Sequence, residues 1–66
     1  MTSRARTLAR QRDLALRKAT ARVLELCVAS HVKFANAFLA LGARDLALDE
    51  MVSARRARKR RERLAA

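Results

Sequence analysis

Hydrophobic residues are unevenly spread along this chain, and their spacing is helical almost throughout. From about Arg4 to Leu41 apolar positions recur at three- and four-residue intervals, which predicts one long helix with Thr2 or Ser3 as its N-cap. Proline is absent and the single glycine is Gly42, suited to the left-handed position that ends a helix. Beyond it, Asp45 can cap a second helix that runs to about Leu64, with Asp49 and Glu50 in or near its first turn. The expected fold is therefore all-α: a helical hairpin turning near Gly42–Arg44, with a continuous helix kinked at Gly42 as the competitor.

Projected at 100° per residue, Leu16, Val23, Cys27, Phe34, Phe38 and Leu41 share one face of the first helix. Leu24, His31 and Ala35 widen that face on one side, Leu26 and Ala37 on the other, while Val28, Val32 and Leu39 fall outside it. The second helix offers only one short apolar face, Ala47, Leu48, Met51 and Val52. One such face cannot cover the first helix, so the pattern predicts a dimer, as a four-helix bundle, or stabilisation by a protein partner. The expected interface residues are Val23, Cys27, Phe34, Phe38, Leu41, Leu48, Met51 and Val52. Size points the same way: 66 residues form at most one domain, and so short a chain buries a small core. A lone cysteine cannot close an internal disulfide.

Charge changes the picture at both ends. The net charge is +10. Residues 1–22 carry seven cations and one acid, residues 23–54 two cations and four acids, and residues 55–66 seven cations and one acid. The single small domain thus divides into a basic N-terminal arm (1–22), an apolar helix-turn-helix core (23–54) and an arginine-rich tail (55–66). Arginine outnumbers lysine thirteen to three. Its planar fork of donors matches phosphate oxygens and base edges better than an ammonium does.

In the tail, Arg55, Arg56, Arg58, Lys59, Arg60, Arg61 and Arg63 run all the way round a helical wheel, which predicts that no face of this segment packs in a core. Like charges at i,i+3 and i,i+4 predict a frayed, partly helical tail until its charge is neutralised. The segment resembles the arginine-rich motifs that bind RNA as short helices, and also a basic nuclear-import signal; both resemblances cover about nine residues and rest on composition. With the hairpin closed near residue 43, Arg63 lies beside Val23, so Arg17, Lys18 and Arg22 join the tail at one end and about 30 Å of the first helix overhangs. Residues 1–22 resemble a mitochondrial presequence apart from Asp13, which would make them a removed segment.

Catalytic chemistry lacks its parts: the acids are scattered, there is no glycine-rich phosphate loop, and Ser30 beside His31 points elsewhere on the helix. Cys27 and His31, four apart, are half of a zinc site, but the pairing is read as packing, so neither metal nor cofactor is expected. A membrane span over 23–41 is rejected because Lys33 and His31 sit at its centre, a central lysine alone costing roughly 2.5–3.5 kcal/mol. Phe34 and Phe38 are the only aromatics and look like core, which argues against stacking on single-stranded bases.

The sequence therefore predicts a non-enzymatic nucleic-acid-binding protein, RNA or ribonucleoprotein before DNA, inside the cell (cytoplasm, nucleoid or nucleus) unless imported into mitochondria. Arg55–Arg63 would hold the phosphate backbone, with Arg17, Lys18 and Arg22 in support. The alternative is a small protein-binding module, such as an inhibitor, antitoxin-like regulator or assembly subunit, that uses the apolar 23–41 helix. No small-molecule substrate is expected.

Overall fold

The computed structural model describes residues 2–65, and the chain forms two helices, α1 (Ser3–Ala40) and α2 (Arg44–Ala65), packed as an antiparallel hairpin 60 × 14 × 13 Å in extent. A kinked continuous helix is excluded by α2 lying back along α1. Thr2 is the N-cap of α1, its hydroxyl accepting from the Ala5 N–H at 3.3 Å.

The turn follows from Gly42. Its φ of 77° lies in the left-handed region, where a side chain strains the backbone. That conformation lets the Gly42 N–H donate to the Leu39 carbonyl at 3.1 Å and the Ala43 N–H to the Phe38 carbonyl at 2.8 Å. These two bonds to carbonyls of the last turn make a Schellman motif. The Ala43 carbonyl then accepts the first bond of α2, from Ala47. Asp45 sits inside the first turn of α2 instead of capping it, where its charge still complements the helix dipole.

So short a turn holds the helices side by side, and four of the five fully buried residues between them are alanines. The buried set is Leu24 and Ala35 from α1 with Ala47, Ala54 and Ala57 from α2. Alanine at the crossing lets the backbones approach closely, but it buries little apolar area. The hairpin therefore packs on the Leu24, His31 and Ala35 edge of the broad apolar stripe. Its bulky centre stays outside: Val23 is 58% exposed, Phe34 55% and Leu41 80%. On α2 only Ala47 of the expected face is buried, and Leu48, Met51 and Val52 are exposed.

Two expectations about the basic tail are overturned. It does pack, because Ala57 is buried and Leu64 half-buried against α1. It is also helical through Ala65, since arginine and alanine are good helix formers and the apolar contacts outweigh the weak like-charge terms. The register also differs: with His31 opposite Glu50, Arg63 lies level with about Lys18 instead of beside Val23, so α2 reaches further along α1 than expected. With Ala65 level with about Leu16, α1 overhangs α2 by about 13 residues, about 20 Å, short of the 30 Å anticipated.

The accessible surface of 5828 Å² is large for 7.4 kDa. A compact monomer of that mass exposes roughly 4,200 Å². Part of the excess is the bare N-terminal third of α1, and part is apolar surface along the hairpin. Helix α1 also contains an 18-residue window of mean hydropathy 1.4, long and apolar enough to cross a membrane by length and composition, of which only 11% is buried in the hairpin.

Candidate nucleic-acid interface

Glu25 organises the open end of the hairpin. Its carboxylate accepts from Arg22 of the same helix at 3.1 Å and also pairs with Arg61 of α2. This cross-helix pair ties the basic tail to α1 and helps set the register. Further towards the N-terminus, Arg17 is held by Asp13 at 3.2 Å. Leu14, Arg17, Lys18 and Ala21 of α1 then face Arg61, Glu62, Leu64 and Ala65 of α2 across a shallow groove. The groove floor is apolar and its rim carries Arg17, Lys18 and Arg61.

The ten nominated cations divide by this geometry. Arg17, Arg22 and Arg61 are engaged by Asp13 and Glu25. Among the described residues, Lys18, Arg55, Arg56, Arg58, Lys59, Arg60 and Arg63 have no ion-pair partner, and all are exposed. Their desolvation on meeting a polyanion would break no existing ion pair. They do not form one patch, however: Arg55 and Arg58 edge a second groove, formed with Val32, Leu48, Met51, Val52 and Ala54. The nominated interface residues are split as well. Leu48, Met51 and Val52 lie in that groove, whereas Val23, Cys27 and Phe34 project from a different side of α1 by helical geometry.

One polar contact within the seam was not anticipated. His31 Nδ1 lies 2.5 Å from Glu50 Oε2, both side chains partly buried between the helices. Glu50 sits three residues after Ala47 and four before Ala54, the seam spacing of α2, and that spacing was the available signal. His31 is thus turned towards Glu50, while Cys27 is half-buried without a disulfide partner. No group of three or more His, Cys, Asp or Glu side chains among the described residues is placed to hold a metal ion.

Comparison with known proteins yields no match among family models, curated proteins or solved structures.

Proposed function

We propose that this chain is a non-enzymatic nucleic-acid-binding protein, with RNA or a ribonucleoprotein favoured over DNA, that grips the phosphate backbone with the Arg55–Arg63 segment. Arg17, Lys18 and Arg22 support that grip from the neighbouring part of α1. The observation that carries the reading is the density of exposed cations without ion-pair partners, among the described residues, on a helical segment tied to α1 through Glu25. A segment already helical loses less conformational freedom on binding than a disordered tail would. Structured RNA or duplex suits it better than single strands, because the aromatics are Phe34 and Phe38 on the apolar helix rather than in the basic segment.

The test is fluorescence anisotropy of labelled hairpin RNA and duplex DNA over a range of salt. Affinity should fall steeply with salt. Replacing Arg55, Arg58, Lys59 and Arg63 by glutamine should reduce the duplex-DNA log–log slope by about 3–4, near 0.9 for each phosphate no longer neutralised. A slope the substitutions leave unchanged refutes the assignment.

The exposed apolar side chains favour a second reading, a protein-binding module whose cations steer it to an acidic partner. A specific partner retained through nuclease and high salt, together with feeble nucleic-acid binding, would favour it.

A further inference from the structure

We infer that the apolar face left open by the hairpin is covered by a second copy of the same chain, in an antiparallel, two-fold symmetric four-helix bundle. The inference rests on a self-complementary pattern, on charge placement and on area, and it stands independently of nucleic-acid binding.

Beside the hairpin seam, α1 carries a second stripe at alternating four- and three-residue steps from Leu16 to Leu41, and no charged residue falls on it. Outward from the level of residues 28–29, the stripe meets Cys27 on one side and Ser30 on the other, then Val23 and Phe34. Further out come Thr20 and Ala37, and last Leu16 and Leu41. The order is small, large, small, large in both directions. A two-fold axis at that level, perpendicular to α1, lays the stripe on itself. Val23 meets Phe34 of the partner subunit and Leu16 meets the partner's Leu41, with small residues between them. Each contact occurs twice, as an isologous interface requires. Thr20 can enter such a seam because its hydroxyl already donates to the Leu16 carbonyl at 2.8 Å.

The same axis has a consequence on α2. Taken at the His31–Glu50 contact, the level of residues 28–29 on α1 is that of residues 52–53 on α2. An axis normal to the α1 pair puts both copies of α2 on the same side, antiparallel about the level of residues 52–53. Asp49 then lies opposite Arg56 of the partner subunit, and Asp45 opposite the partner's Arg60. All four side chains are exposed in the single chain, and none has an ion-pair partner there among the described residues. They share one side of α2 by helical spacing, rather more than a third of a turn from the alanine seam and so towards the rim of the contact. The arrangement sets the basic open end of each hairpin against the acidic turn of the other, whereas a parallel pair would stack the two basic ends. Arg56 and Arg60 thereby leave the phosphate-binding set, and Arg55, Arg58, Lys59 and Arg63 remain in it.

The exposed surface leaves room for such an interface. The chain exposes 5828 Å², roughly 1,600 Å² above a compact monomer of its mass. A stable interface needs roughly 800 Å² from each partner, so half the excess meets the requirement.

Equilibrium sedimentation of the full chain, free of nucleic acid, tests the inference together with a charge exchange. The wild type should sediment at twice 7.4 kDa. Asp49→Arg or Arg56→Asp alone places like charges opposite each other twice per dimer and should weaken association by about tenfold or more. The double variant Asp49→Arg/Arg56→Asp should restore it. Both positions are exposed, and unchanged circular dichroism will show that each chain still folds. Val23→Glu, which puts a carboxylate against Phe34 of the partner subunit, should abolish the dimer. A monomer, a larger assembly, a dimer indifferent to the single reversals, or a double variant that fails to recover each overturns the proposed bundle.

Discussion

Replacing Ala47 by leucine probes what holds the hairpin closed. Ala47 is 1% exposed and faces α1 near the turn, in a seam where its buried neighbours are also mostly alanine. An isobutyl group cannot enter without spreading the helices, and the three-residue link around Gly42 leaves little slack to do so. Overpacking of this kind costs about 1–3 kcal/mol. A chain of this size holds roughly 3–10 kcal/mol in total, so the destabilisation is a large fraction. At about 4–8 °C per kcal/mol, the midpoint of thermal unfolding should fall by about 5–20 °C. The assay is far-UV circular dichroism against temperature at fixed protein concentration, with Ala29→Leu as the control. Ala29 is exposed, and leucine is nearly as good a helix former as alanine, so the control should move stability by no more than about 0.5 kcal/mol. Should Ala47→Leu melt with the control or above it, the close alanine seam is not what positions the helices.

Two further perturbations test separate parts of the fold. Gly42→Ala meets no atom within 4 Å, so its cost is backbone strain alone at φ 77°, about 1–2 kcal/mol by denaturant unfolding, and Gly42→Asn should cost less. His31→Ala and Glu50→Gln should each destabilise by about 1 kcal/mol, and their double-mutant cycle should show coupling; additive effects would mean the 2.5 Å contact contributes nothing.

Much of this arrangement is legible in local chemistry. The helical character follows from alanine, leucine and arginine without proline, and the turn follows from the one residue that adopts a positive φ freely. The segregation of cations to the ends and of bulky apolar residues to the middle is likewise a property of the chain. What misleads is hydrophobic size. The bulky stripe through Val23, Phe34 and Leu41 looks like the natural inner face, yet the hairpin uses the edge carrying Leu24 and Ala35. Helical projection ranks positions by hydrophobicity, but two helices joined by a three-residue link pack first where their backbones can approach. Alanine permits that and phenylalanine does not. The tail misled for a related reason: counting cations round the wheel hides Ala57 and Leu64, which hold that segment against α1.

Sequence alone thus determined two helices, their junction at Gly42 and an oversupply of apolar surface on the first, because each depends on residues near one another in the chain. Only the tertiary structure decided the rotation of α1 about its own axis. That rotation selects an alanine seam, brings Glu50 to His31 and Arg61 to Glu25, and leaves the bulky stripe facing outward. The physical reason is that helix rotation is set by side chains that meet across the hairpin, as His31 and Glu50 do from nineteen residues apart, and their energies exist only once the turn has closed.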